Sequence, residues 1–305
     1  MRTGTGHHEL LLTDDDAVPE ALVSRAQEAV RAGTWVVCNT SEPLVRALHQ
    51  AVDGSPRLLA GSMPDIAANP AELLADAMVL AAGHLESGEA LLVIDEGPVM
   101  DRAVWWEWSR VEAARNLLMA DVWQVCLYPT RWLDDEQLAS MRATHPWECD
   151  GAGRRPSDGF LAPDDFLAAR FLDPYEPGLP APWREMDDPS ELQVRAAVRE
   201  VADGVGLHQD DVDSLLFAAS EITSNAHQYG AAPVSVRLWR GARRLTVAVS
   251  DAGPGCAEGL VGLVGHEPDA PSGGGTGLWL THCMVDARHV RTAEGNTVYL
   301  SVGVR

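Results

Sequence analysis

The sequence of 305 residues predicts an α/β protein with two domains joined by a proline-rich linker. In the first half, short aliphatic runs alternate with amphipathic segments, which is typical of a mostly parallel sheet with helices on both faces. In the second half, two helical segments precede strands of alternating character, which predicts a two-layer α/β domain. Prolines are dense from 171 to 189, as in extended, semi-rigid linkers. We therefore predict domains at 1–170 and 190–305, with the linker at 171–189.

Strand and helix segments alternate along the first half in βαβ order. The predicted strands are Glu9–Leu12, Thr34–Cys38, Arg57–Ala60, Ala90–Glu96 and Trp123–Tyr128, and the predicted helices are Val18–Ala32, Pro43–Val52, Ala71–Leu85, Val104–Met119 and Asp134–Ala143. Because such order places strands side by side with helices outside them, a three-layer domain is expected.

One strand of this half ends in Asp95 and Glu96, as the Walker B strand of P-loop ATPases does. A P-loop also needs the lysine of G-x-x-x-x-G-K-[ST]. The chain contains no lysine, because all 23 of its Lys and Arg residues are arginine. We therefore predict a RecA-like architecture without a P-loop, which does not hydrolyse ATP. The same absence excludes a Schiff-base lysine.

Several residues of the first half resemble landmarks of the MEDS sensory domain. The resembling residues are Met63, Asn69–Ala71, Asp95–Pro98, Glu112, Asn116, Cys126–Tyr128 and Thr144–Pro146. The resemblance spans about residues 6–163 and implies a sensory domain, with a small molecule as one candidate signal. Where that family often has Leu-Cys-Pro-Tyr-Asp, this chain has Cys-Leu-Tyr-Pro-Thr, so the role of that aspartate is in question.

Other side chains of the first half allow two interpretations. The tryptophans at 105, 106 and 108 either line a ligand pocket or fill the core. His7 and His8 are interpreted as an exposed pair rather than metal ligands. The five cysteines of the chain form no C-x-x-C pair, so we expect buried or idle thiols rather than a zinc ribbon or dithiol site.

The net charge of −22 argues against nonspecific binding to nucleic acid or to an anionic membrane. No apolar run approaches the roughly 20 residues of a membrane helix, and no signal peptide is recognised at the N-terminus. We therefore expect a cytoplasmic protein.

In the second half, a helix is predicted from Val212 to Tyr229. Glu221 and Asn225 are four residues apart and therefore share one face of that helix. An amide oxygen can hold Mg²⁺ and a carboxylate can orient a nucleophile. The alternative is an exposed polar pair on a surface helix, and the spacing alone does not decide.

Two glycine motifs follow. Asp251 comes just after the predicted strand Leu245–Val249, where a carboxylate could accept a hydrogen bond from the amine of adenine, or could belong to an ordinary turn. A later glycine run precedes the apolar helical segment Leu278–Val285. Such a run either presents a helix N-terminus to phosphates or forms a flexible linker.

Together these motifs resemble the GHKL (Bergerat) ATP-binding fold of gyrase, heat-shock ninety, histidine kinases and MutL, and more narrowly the anti-sigma-factor serine kinases. The resemblance runs from about Pro189 to the C-terminus. It implies ATP and Mg²⁺ as cofactors, with Glu221 as general base, Asn225 as Mg²⁺ ligand and Asp251 as adenine contact. The other nucleotide contacts that it implies are Gly253, Gly255, Gly273, Gly274, Gly275, Thr276, Gly277 and, near the base, Thr297. Where the family commonly has a histidine, this chain has Tyr229, so the rate of phosphotransfer is in question.

The same resemblance implies an anti-sigma factor with serine/threonine protein kinase activity. Its partners would be a sigma factor and an anti-sigma-factor antagonist, its regulator the sensory domain, and its assembly a homodimer. A two-component histidine kinase is disfavoured because the single helix between the linker and Val212 contains no histidine. The alternative is an ATP-gated interaction switch without turnover.

Overall fold

A computed structural model describes residues 7–13, 19–62, 70–86, 90–96, 102–150, 153–170, 178–255, 259–265, 276–292 and 295–303. The chain divides into two units. One comprises residues 1–67 and 73–166 and contains a seven-stranded sheet, and the other comprises residues 68–72 and 167–305 and contains a five-stranded sheet. The predicted mixed α/β class is confirmed. Among the helices described, none has both the length and the apolar character needed to cross a membrane.

The first unit is a mostly parallel sheet flanked by helices. Its strands lie in the order β3-β2-β4-β5-β1-β6-β7, parallel except for β7, which runs antiparallel to β6. The elements are β1 (His8–Thr13), α1 (Glu20–Arg31), β2 (Trp35–Thr40), α2 (Glu42–Ala51), β3 (Leu58–Ser62), α3 (Pro70–Glu86), β4 (Leu91–Glu96), α4 (Arg102–Leu118), β5 (Trp123–Pro129), α5 (Asp135–Thr144), β6 (Trp147–Asp150), β7 (Gly153–Pro156) and α6 (Pro163–Arg170).

Successive side chains of a strand point to opposite faces of the sheet, and in the first unit both faces pack against helices. Leu11 on β1 packs in one cluster with Leu22 of α1 and Leu48 of α2. The next residue toward the N-terminus, Leu10, packs in another cluster with Trp108 of α4. The first unit therefore has three layers, with α1 and α2 on one face and α4 and α5 on the other.

Two of the open interpretations of the first unit are resolved by these layers. Trp105 and Trp108 are buried in the core cluster of α4 and α5. His8, interpreted from the sequence as exposed, is fully buried, because it opens β1 between the neighbouring strands β5 and β6. That interpretation was wrong for His8, whereas His7 is exposed.

The second unit is an antiparallel sheet with helices on one face. Its strands lie in the order β11-β12-β10-β9-β8. The elements are β8 (Arg184–Asp187), α7 (Glu191–Ala202), α8 (Gln209–Tyr229), β9 (Ser235–Arg240), β10 (Arg244–Asp251), α9 (Thr276–Met284), β11 (Asp286–Thr292) and β12 (Gly295–Gly303).

The core of this unit lies between α7, α8 and the sheet. Leu215 and Ile222 of α8 pack in one cluster with alternate residues of β10 and β12, such as Val247 and Leu300. The opposite face of the sheet carries a smaller cluster around Trp239. Because the helices cover only one face of the sheet, the unit has two layers, and α8 packs directly on β10 and β12.

Part of the predicted linker is a strand. Residues 171–177 lie outside the described residues, whereas Arg184–Asp187 form β8, paired with β9 at the edge of the second sheet. The pairing begins just before it, where Trp183 donates its backbone N–H to the carbonyl oxygen of Leu238 at 2.8 Å.

We expect Leu215→Ala to lower the free energy of unfolding of the second unit by about 2–5 kcal/mol, because a fully buried leucine is replaced by a cavity. Leu192→Ala on α7 is the matched control, since Leu192 is 79% exposed and should change stability by less than about 0.5 kcal/mol. Urea unfolding monitored by circular dichroism measures both. Equal effects of the two variants would contradict the packing of α8 on the sheet.

Candidate functional site

The helix α8 carries Glu221 and Asn225 on one side, one turn apart. Ile222 and Ala226, the residues that follow each of them, are buried in the core, so the orientation of the helix is fixed by packing. Glu221 and Asn225 are themselves half-buried. Within the described part of the chain, neither side chain has a hydrogen bond or an ion pair. Their oxygens therefore remain available to a ligand.

The N-terminal turn of α9 lies against Glu221. A Cβ atom placed on Gly277 would overlap Glu221 Oε2 and lie 2.9 Å from its Cδ, so only glycine allows this approach. A helix N-terminus has unpaired N–H groups and a partial positive charge, which favour anions. Thr276, the first residue of α9, is exposed at the same end. Gly273, Gly274 and Gly275 lie outside the described residues.

Asp251 ends β10 with a buried carboxylate. Its Oδ1 accepts the backbone N–H of Gly253 at 2.7 Å and that of Ala231 at 3.3 Å. The other oxygen, Oδ2, lies 3.5 Å from the side-chain amide nitrogen of Asn296. The backbone contacts hold the carboxylate in one orientation, with Oδ1 satisfied internally and Oδ2 more open to a further donor.

Three glycines allow the backbone to approach this carboxylate and its neighbour. A Cβ on Gly230 would lie 2.6 Å from Asp251 Oδ1, and a Cβ on Gly253 would lie 2.7 Å from the same atom. Gly255 has φ +66°, and its Cβ would lie 2.9 Å from Asn296 Oδ1. Of these, the sequence predicted Gly253 and Gly255 but not Gly230, which follows the end of α8.

The strand register separates Thr297 from Asp251. Asn296 pairs with Asp251, and Thr297 pairs with Ser250. Because Val298 faces the core under α8, Thr297 and Ser250 lie on the face of the sheet away from α8. There the hydroxyls of Thr297 and Ser250 are 2.8 Å apart. The residue beside Asp251 is Asn296, which the sequence analysis missed. Its alternation with the core residue Val298 could have indicated it.

The two groups of residues lie at the two ends of one stretch of α8. From Glu221 to Gly230, which contacts Asp251, the helix rises by about 14 Å at roughly 1.5 Å per residue. The two groups are therefore far enough apart to contact the two ends of one extended ligand. The helix α8 therefore fixes the distance between the residues around Glu221 and those around Asp251.

Two other side chains of α8 point elsewhere. The Nε2 atom of His227 lies 3.1 Å from the carbonyl oxygen of Pro189, where the chain enters α7. Tyr229, at the position of the family histidine, is 65% exposed. His227 is thus held by a structural contact.

The comparisons with known proteins concern the second unit. A family model described as a histidine kinase-like ATPase domain matches residues 187–302. The second unit is therefore a domain of this class. The serine-protein kinase RsbW of Bacillus licheniformis is 31% identical over 137 residues, which cover 40% of this chain and 85% of that protein. Through its second unit, the chain belongs to the RsbW family.

Two solved structures also align with part of the chain. The RsbU and RsbW domains of Rv1364c from Mycobacterium tuberculosis align with 22% identity and a TM-score of 0.27, covering 40% of this chain and 33% of that one. The histidine kinase domain of the E. coli osmosensor EnvZ aligns with 19% identity and a TM-score of 0.24, covering 42% and 93%. The chain thus spans one third of the mycobacterial protein.

We expect Asn296→Ala to weaken the binding of ATP, because it removes the polar side chain beside Asp251. A hydrogen bond of about 0.5–1.5 kcal/mol corresponds to a loss of roughly two- to tenfold in affinity. Thr297→Val is the matched control, since its side chain lies on the opposite face, and should leave the affinity unchanged. Isothermal titration calorimetry measures both. A loss with Thr297→Val alone would contradict the register described here.

Proposed function

We propose that this chain is an ATP-dependent serine/threonine protein kinase of the anti-sigma-factor type. The observation that carries the proposal is the contact between the Glu221 carboxylate and the start of α9 at Gly277. It places a carboxylate without a partner among the described residues at a helix end suited to phosphate. Membership of the RsbW family supports the reaction class, since the relative in Bacillus licheniformis is a serine-protein kinase.

The donor set of α8 fits a hydrated Mg²⁺ ion. The amide oxygen of Asn225 is half-buried and unengaged among the described residues, and Mg²⁺ is usually bound through few protein oxygens with several waters. Asn225 would hold the ion, which when bound supplies charge neutralisation on the phosphates. Asp251 Oδ2 would accept a hydrogen bond from the amine of adenine, while the backbone N–H of Gly253 donates to Oδ1 and holds the carboxylate in place.

Glu221 would act as the general base. Its carboxylate would accept the proton of a serine or threonine hydroxyl as that oxygen attacks the γ-phosphorus of ATP. The bond from the γ-phosphorus to its bridging oxygen breaks, and ADP leaves with that oxygen. Positioning and electrostatic stabilisation account for most of the catalysis of such transfers. The free N–H groups at the start of α9 would stabilise the negative charge on the phosphates.

We further propose an anti-sigma-factor antagonist as substrate, a sigma factor as the protein that is held and released, and a homodimer as the working assembly. The first unit would act as a MEDS-like sensory domain that controls whether the sigma factor is held or released. Part of the support is that three residues carrying the sequence resemblance, Glu112, Cys126 and His145, lie together in one buried cluster. These proposals rest on the family resemblance and on that cluster.

We expect Glu221→Gln to lower phosphotransfer by roughly 10²- to 10⁴-fold with ATP binding retained, because the amide cannot accept the proton. Glu191→Gln, an exposed residue of α7, is the control and should have full activity. The assay measures transfer from labelled ATP to a panel of purified anti-sigma-factor antagonists, and mass spectrometry locates the phosphate. If the wild type binds ATP but phosphorylates none of them, the kinase proposal fails. The ATP-gated switch, favoured by Tyr229 in place of the family histidine, then stands.

We expect Asn225→Ala to abolish the effect of Mg²⁺ on ATP affinity, because the amide ligand of the ion is lost. In the wild type, calorimetric titration of ATP should give tighter binding with Mg²⁺ than with a chelator. Gln228→Ala is the control, since Gln228 is an exposed amide on the same helix. No ATP binding by the wild type would refute the nucleotide site altogether.

A further inference from the structure

A second polar cluster lies inside the first unit, between the sheet and the helices α4 and α5. Its members are His8 of β1, Glu112 of α4, Cys126 of β5 and His145 at the end of α5. All four side chains are buried, and none is more than 1% exposed. The parallel pairing of β1 with β5 brings His8 and Cys126 to the same face of the sheet.

Four potential metal-ligating atoms converge in this cluster. His8 Nε2 lies 3.3 Å from Cys126 Sγ and 3.3 Å from Glu112 Oε2. Glu112 Oε2 lies 3.7 Å from Cys126 Sγ and 3.8 Å from His145 Nε2. All four atoms lie within 4.8 Å of one another.

These separations are close to those of a tetrahedral metal site. Zinc binds nitrogen and oxygen at about 2.0–2.2 Å and sulfur at about 2.3 Å, so the ligand atoms of a tetrahedron are roughly 3.3–3.6 Å apart. The four measured separations match or exceed these edges by only a few tenths of an ångström. The remaining two separations are at most 4.8 Å, so small movements of the side chains would bring all four atoms to the distances of a site for one ion.

His145 presents a nitrogen that has no hydrogen-bond partner among the described residues. Its Nδ1 lies 2.8 Å from the carbonyl oxygen of Met141 and can donate a hydrogen bond there, which leaves Nε2 as the unprotonated atom facing the cluster. Nε2 is buried and makes no hydrogen bond within the described part of the chain. A metal-binding histidine typically has this arrangement.

Surrounding side chains orient the carboxylate. Tyr128 donates its hydroxyl to Glu112 Oε1 at 2.6 Å, and Trp108 Nε1 donates to the Tyr128 oxygen at 2.5 Å. Glu112 Oε2 thus remains directed at the cluster. Such outer-shell hydrogen bonds are characteristic of metal sites.

The charges of the cluster also favour a dication. Arg115 lies 2.6 Å from Asp95 and 3.8 Å from Glu112, so one buried cation serves two carboxylates. This leaves one negative charge in excess in a medium of low dielectric. A dication that displaces the thiol proton of Cys126 adds two positive charges and one negative charge and makes the group neutral. Bound thiols are deprotonated in this way.

We propose that the first unit binds one divalent cation of the zinc type through four side chains, those of His8, Glu112, Cys126 and His145. Thiolate with imidazole selects zinc or a similar transition ion over magnesium or calcium. Four protein ligands in a closed, buried shell define a structural or sensing site, since a catalytic site keeps a position open. This site is independent of the proposed nucleotide site.

The first experiment is titration of the chelator-treated, full-length, untagged protein with Co²⁺. We expect one equivalent to bind, with intense visible bands of tetrahedral cobalt and a near-ultraviolet thiolate band, both abolished by added Zn²⁺. Cys126→Ser should remove the thiolate band. Cys38→Ser is the matched control, because Cys38 is buried in the other core cluster, on the opposite face of the same sheet. A band that survives Cys126→Ser, or no stoichiometric binding by the wild type, would overturn the proposal.

X-ray absorption of the zinc-loaded wild type gives a result that does not depend on the folding of a variant. We expect one sulfur at about 2.3 Å and three lighter ligands at about 2.0–2.2 Å. Tyr128→Phe should weaken zinc binding by about 10- to 100-fold, as loss of an outer-shell hydrogen bond does. A zinc shell without sulfur would rule out this set of ligands.

Discussion

The alternation of side chains across each sheet decides where the polar groups of this protein lie. Val249 and Val298 face the core under α8. Asp251 lies two residues after Val249, and Asn296 lies two residues before Val298, so both must face the same side of the sheet. In the first unit the same rule carries His8 inward, because it lies two residues before the buried Leu10. Apolar packing thus fixes the faces of the strands, and the polar side chains at the strand ends follow.

The sequence predicted the features that depend on local spacing. Glu221 and Asn225 share a helix face because four residues make about one turn, and no distant contact is needed to infer this. The pairing of Asp251 on β10 with Asn296 on β12 joins residues 45 positions apart and depends on the whole sheet. A shift of one residue moves a side chain to the other face of the sheet. The family resemblance implied Thr297, whereas only the strand pairing shows that Asn296 lies beside Asp251. Gly230 was missed because its close neighbour, Asp251, is also distant in sequence.

The buried cluster of the first unit illustrates the same limit. Cys126 and Glu112 come from different elements, and no short spacing of histidine, cysteine or carboxylate connects them to His8. Asp95 shows the converse case, in which the local sequence resembles a Walker B strand although the side chain is bound to other residues of the protein. Its carboxylate accepts a hydrogen bond from Asn39 at 3.0 Å and pairs with Arg115 at 2.6 Å. A strand ending that resembles Walker B is thus engaged in an internal ion pair.

The short strand β8 has a consequence for how the second unit can be isolated. It covers β9, so a shortened protein that begins at residue 190 would leave the N–H and C=O groups of β9 exposed along a sheet edge. Unpaired edges of this kind recruit strands from other molecules and promote aggregation. The same truncation would remove the Pro189 carbonyl that contacts His227. The stretch just before α7 therefore covers the edge of the sheet at β9, and a soluble fragment has to start upstream of Trp183.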